Sequence, residues 1–266
     1  MDLIGYFASI LIGVSLGLIG SGGSILTVPV LVYLFHIDVI TATTYSLFIV
    51  GLSSAAGTFP YFRGNMVDIK TALIFGIPSV LAVFFSRRVI VPAIPESVFE
   101  IGNLAVTRST LLLSIFAVLM VIASYNMIEK SEEADQPKVN RQKPFSNLRI
   151  LSLGALVGLV TGLVGAGGGF LIVPALIGFL KTPIKTAIGT SLLIVAINSL
   201  TGFLFSVTFI AINWCFLLSV TLMAFLGIFV GSKLVKKIEG RRLRFAFGWF
   251  VLIMGIYILL RELLFK

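Results

Sequence analysis

The chain has 266 residues, of which 58% are hydrophobic and 12% charged, with a mean hydropathy of +1.11. A soluble domain carries about twice that share of charge, so a soluble enzyme, a disordered chain and a disulfide-built secreted domain are excluded. The net charge of +9 would suggest nucleic acid in a soluble protein; in so apolar a chain it reads as basic loops on the cytoplasmic side of a membrane, with lipid and not nucleic acid as the partner.

Crossing a bilayer core of about 30 Å takes about 20 apolar residues in a helix. Ten apolar segments are expected, near 3–19, 25–35, 39–59, 67–86 and 104–128, then 148–164, 170–180, 186–208, 212–232 and 242–264. The runs are continuous rather than alternating, which excludes a transmembrane β-barrel. The first run resembles a signal peptide in length. Its flank carries Asp2 and no Lys or Arg, the wrong start for one, and the same segment recurs in mid-chain. The polar stretch 129–147, with charges of both signs and two prolines, reads as a solvated linker.

The chain repeats itself. Residues 11–57 placed on 156–202, at an offset of 145 and without a gap, share 19 identities in 47 positions. Among them are Gly20/Gly165, Gly22/Gly167, Gly23/Gly168, Pro29/Pro174, Ser46/Ser191 and Ser54/Ser199. Matching Gly, Pro and Ser at one fixed offset is a repeat, not a composition effect. The expected division is 1–128 for the first repeat, 129–147 for a cytoplasmic linker and 148–266 for the second. With an odd number of segments per copy the second is inverted. Placing the linker inside then puts 15 of the 20 basic residues inside and 5 outside (Arg87, Arg88, Arg108, Arg261, Lys266), as the positive-inside rule requires. The expected fold is an all-α polytopic protein of the cell (inner) membrane. It consists of two inverted repeats of five apolar segments, with both termini outside and with short half-helices and Gly-rich breaks near mid-membrane.

Segments 2 and 7 have about 11 residues, or roughly 16 Å, half a bilayer. Each follows a glycine loop, Gly20–Ser24 or Gly165–Gly169. Irregular backbone at that depth must be buried in protein or line a cavity. The helix N-terminus that follows carries about +0.5 charge and suits an anion. Gly-interrupted segments at matching places in two halves are the sequence pointer to a transporter's binding site. Neither loop continues into Lys-Ser/Thr, so a nucleotide P-loop is a poor reading. The alternative for Gly13, Gly17, Gly158 and Gly162 is close helix packing.

The two glycine motifs, GLIGSGGSILTVP (17–29) and GLVGAGGGFLIVP (162–174), with TATTYSLFIVGLSSAAGTFPYFRG (41–64) and TAIGTSLLIVAINSLTG (186–202), resemble the TauE/SafE sulfite exporter family over both halves. The resemblance implies a membrane transporter of sulfite, an organosulfonate such as sulfoacetate, or another small sulfur-containing or organic anion. A related branch relies on cysteines for thiosulfate; this chain has only Cys215, so no sulfur relay is implied.

Hydroxyl clusters follow each half-helix. The candidate substrate-binding set is Ser21, Gly22, Gly23, Ser24, Ser46, Ser53 and Ser54 from the first repeat. The second repeat supplies Ala166, Gly167, Gly168, Gly169, Thr190, Ser191, Asn198 and Ser199. Ser46 and Ser54 share a helix face, as do Ser191 and Ser199; each hydroxyl could instead bond back to its own helix. None of the 11 acids lies at the centre of an apolar segment, where a cation transporter or carboxylate proton pump would keep one. No metal, cofactor or catalytic residue is expected. His36 with Asp38 reads as a helix-end cap, the alternative being an intramembrane enzyme. Arg87, Arg88 and Arg108 read as anchors at the outer membrane edge or as an outer basic vestibule. A secondary transporter working by alternating access is the leading expectation, with an anion channel or carboxylate importer as alternatives. Proton or sodium coupling, homodimerisation and the direction of transport stay open.

Overall fold

The structure, a computed structural model, describes residues 2–19, 24–101, 104–129, 147–165, 167–178, 182–234 and 240–264. The first glycine loop (20–23), Ala166, Lys181 and almost all of the linker lie outside them. The helices are α1 (Asp2–Ile19), α2 (Ser24–Leu34), α3 (Val39–Arg63), α4 (Ile69–Ala93) and α5 (Arg108–Glu129) in the first half. The second half has α6 (Asn147–Val164), α7 (Gly169–Gly178), α8 (Ile184–Ser206), α9 (Trp214–Leu234) and α10 (Gly240–Leu264). Among the described residues, β-structure is confined to an antiparallel hairpin, β1 (Ser97–Ile101) with β2 (Leu104–Thr107). The expected fifth segment therefore starts at Arg108 rather than 104, because its first residues pair as a strand.

Capping sets several boundaries. Asp38 Oδ2 accepts from the N–H groups of Ile40 (3.0 Å) and Thr41 (3.3 Å), which have no partner inside α3. Asp68 does the same for α4, accepting from Thr71 N–H at 3.1 Å. Two helices change pitch: α2 closes in a π-helical run, Val30–Leu34, and α4 contains another, Ser86–Ile90. The second carries Arg87.

Packing respects the repeat. α1 lies on α9, and at the equivalent place α6 lies on α4; α3 crosses α8, its own counterpart, and α5 packs on α10. The correspondence holds residue by residue. A side chain at Gly13 would strike the carbonyl of Ala224, and one at Gly158 would strike that of Ser79; Gly13 and Gly158 are 145 residues apart, and so are Ser79 and Ala224. These glycines let backbones touch, the use small residues have between membrane helices.

The outer faces repeat too. Leu73, Ile77 and Leu81 of α4 are exposed, and so are Leu218, Leu222 and Leu226 of α9. A four-residue spacing makes a stripe on one helix face, here apolar and outward. Among the described residues, five helices are long and apolar enough to cross a membrane. With α1, α2 and α6 as shorter apolar helices, the protein is a polytopic all-α membrane protein, its inner faces packed on one another and its outer faces suited to lipid.

Candidate functional site

The second glycine loop is where backbone shape and side-chain packing meet. Gly165, Gly167 and Gly168 have φ of +72°, +70° and +67°, a left-handed region that costs other residues about 1–2 kcal/mol each. The loop ends α6, whose Thr161 carbonyl accepts from Gly165 N–H at 2.8 Å, and starts α7, whose Leu171 and Ile172 N–H groups both donate to Gly168 O. α7 has 10 residues, about 15 Å. Its N-terminus, the positive end of its dipole, points back into the protein.

The loop runs down one face of α3. Gly165 sits against Thr43, and Gly167 against Val50, with its missing Cβ 2.6 Å from Val50 Cγ1 and 2.8 Å from Ser199 Oγ. Thr43, Ser46 and Val50 follow one another at three- and four-residue steps, so Ser46 lies on the track between the two contacts. Val50 is the twelfth of the 25 residues of α3, and Val195, 3.3 Å from the same position, the twelfth of the 23 of α8. Gly167 therefore stands at half the height of both long helices.

Around this loop the hydroxyls fall into two groups. The Oγ atoms of Ser46, Ser53, Ser54 and Ser199 are buried without a hydrogen-bond partner among the described residues; all four side chains are fully buried. An unpaired buried hydroxyl is costly; three of these stand on α3 and one on α8, and Ser199 is the one in contact with the Gly167 position. The others are engaged. Thr190 Oγ1 accepts from Asp68 N–H at 2.9 Å, Ser191 Oγ donates to Ile188 O at 2.8 Å, and Asn198 Nδ2 donates to Ser79 Oγ at 2.6 Å. Asn198 Oδ1 remains unpaired. Ser24 is buried and bonded, and Gly168 packs on Thr161. Ser21, Gly22, Gly23 and Ala166 lie outside the described residues.

Sequence reasoning passed over Thr27 and Ser86, whose buried hydroxyls also lack a partner among the described residues. It left Arg87 between an anchor and an outer basic vestibule. The Arg87 side chain is 3% exposed. Nη1 donates to Thr43 Oγ1 at 3.1 Å, while Nε and Nη2 have no partner among the described residues. A side chain at Gly165 would run into its guanidinium. Arg87 also lines a cavity of about 310 Å³, with Thr44, Arg108 and Ser206 among apolar groups. Arg108 is held at 3.8 Å by Glu96, and Arg88 is exposed. His36 and Asp38 are exposed as well: Asp38 is the α3 cap, and His36, at φ +54°, ends the preceding helix. Among the described residues no three His, Cys, Asp or Glu groups come together to hold a metal.

A family model described as sulfite exporter TauE/SafE matches residues 6–258. The chain is similar to a probable membrane transporter protein of Xylella fastidiosa, 29% identical over 259 residues that cover 95% of this chain and 92% of that one. Another of the same description, from Bacillus subtilis, is 27% identical over 223 residues, 84% of this chain and 86% of that one. A third, from Methanocaldococcus jannaschii, is 24% identical over 273 residues, 94% of each. No solved structure matches. Apolar outward helices and a match along nearly the whole chain lead to one conclusion: the chain belongs to the TauE/SafE family and is a membrane transporter.

Proposed function

We propose that the protein exports a small sulfur-containing anion, sulfite or an organosulfonate, by alternating access around the two glycine loops. The observation that carries this reading is the set of buried, unpaired hydroxyls of Ser46, Ser53, Ser54 and Ser199 beside the turn that opens α7. Hydroxyl O–H groups and a helix N-terminus stabilise negative charge without a carboxylate or a metal. The second loop contributes Ala166, Gly167, Gly168 and Gly169, with Thr190, Ser191 and Asn198 behind it. The repeat assigns the same part to Ser21, Gly22, Gly23 and Ser24. Under this reading the two halves are inverted in the inner membrane, with residues 129–147 in the cytoplasm and both termini outside.

Two experiments test it. Equilibrium binding of sulfite, sulfoacetate and chloride to the detergent-solubilised protein should give saturable binding of an oxyanion; no binding of any of them removes the anion reading. Single cysteines placed in 129–147 and 233–244 should be labelled from the same side of sealed vesicles. Labelling from opposite sides removes the inverted topology.

A further inference from the structure

We propose that Arg87 is the cationic residue that receives the anion, through a two-pronged contact from its Nε–H and Nη2–H. The proposal deepens the anion-transport reading above and rests on it. A guanidinium carries five N–H donors in a rigid fork. Here only Nη1 is engaged, by Thr43 Oγ1, while Nε and Nη2, the edge that grips an oxyanion, have no partner among the described residues. The side chain is 97% buried, and no carboxylate pairs with it among the described residues. The salt bridge in this region, Arg108 with Glu96, belongs to another arginine. A buried charge without a counter-charge is costly, and a bound anion removes that cost.

Its position fits the role. Arg87 lines the cavity of about 310 Å³ together with Arg108, and its guanidinium meets the Gly165 turn. An anion in that cavity would lie beside both arginines, with Arg87 the one that also touches the glycine loop. Thr43 fixes the approach: its Oγ1 takes Nη1 while donating to Ile40 O at 2.8 Å, which leaves the other edge of the fork free. The π-helical run Ser86–Ile90 that turns Arg87 inward is a helix irregularity frequent at functional sites. The second half has no counterpart, since the position 145 residues on is Ser232. One cation therefore serves a site built from two similar halves. A fork of two N–H groups selects an anion with two adjacent oxygens over a halide.

The test compares Arg87→Gln, Arg87→Lys and, as a control, Arg88→Gln, by equilibrium binding of sulfite, sulfoacetate and chloride to the full chain in detergent. Arg87→Gln should weaken oxyanion binding about 100-fold. Arg87→Lys, which keeps the charge and loses the fork, should weaken it about 10-fold and reduce the preference over chloride. Arg88→Gln should leave it unchanged. If Arg87→Gln does not fold, Arg87→Lys carries the test alone. Wild-type affinity and selectivity in Arg87→Lys overturn the assignment, as does an equal loss in Arg88→Gln. If the wild-type protein binds none of the three anions, the anion reading itself falls; if it binds and the Arg87 variants bind equally well, only the role of Arg87 falls.

Discussion

Replacing Ser199 by alanine separates a binding hydroxyl from a structural one. Its Oγ is fully buried, lacks a partner among the described residues and lies 2.8 Å from where a Gly167 Cβ would stand. In the anion-free protein the wild-type residue bears the cost of an unpaired buried hydroxyl, about 1–3 kcal/mol. Ser199→Ala removes that cost at the loss of one atom's packing, so the empty variant should be as stable as wild type or more so. With the anion bound the sign reverses. A hydrogen bond to a charged group is worth about 1.5–3 kcal/mol, so the dissociation constant should rise about 10- to 150-fold. Melting in detergent with and without sulfite or sulfoacetate reads both effects. Saturation at 100 times the dissociation constant stabilises wild type by about 2.7 kcal/mol, and the variant at the same concentration gains less. A variant destabilised by more than about 1 kcal/mol without ligand, or one that binds as tightly as wild type, refutes the reasoning.

Four further outcomes follow from particular positions. Gly158→Ala drives a methyl into the backbone of α4, 2.6 Å from Ser79 Cα, and should cost about 1–3 kcal/mol. Gly76→Ala, with nothing within 4 Å of its new methyl, should gain about 0.5–1 kcal/mol from reduced chain entropy; comparing the two melting curves checks both. Thr190→Val loses the bond from Asp68 N–H and should cost about 1 kcal/mol, read by thermal melting in detergent. Asp38→Ala removes both capping bonds of α3 and should lower stability by about 1 kcal/mol with vesicle transport intact. Abolished transport at wild-type stability would return Asp38 to the functional residues.

The helices were legible because long apolar runs between prolines and charges are what a bilayer selects, and α3 begins right after Asp38 as its capping chemistry requires. The repeat singles out Ser46, Ser54, Ser191 and Ser199 alike, but it does not tell apart the three without a partner among the described residues from Ser191, which donates to Ile188 O. The burial of Arg87 was not legible: hydropathy shows a cation near the end of a run, and the π-helical turn that carries it leaves no mark in composition. The hairpin was missed because the apolar reading of 104–128 passed over Gly102-Asn103, a turn signal between two short runs.

The glycine contacts that bring α1 against α9 and α6 against α4 decide which parts can move. Each pair joins one helix from either half, backbone on backbone, at Gly13 with Ala224 and at Gly158 with Ser79. The two sequence repeats are therefore not two mechanical bodies. A motion that opened first one face and then the other would carry α1 together with α9 and α4 together with α6. The slip plane would be the α3–α8 crossing, where Gly51 meets Leu200 and Gly202 meets Leu47.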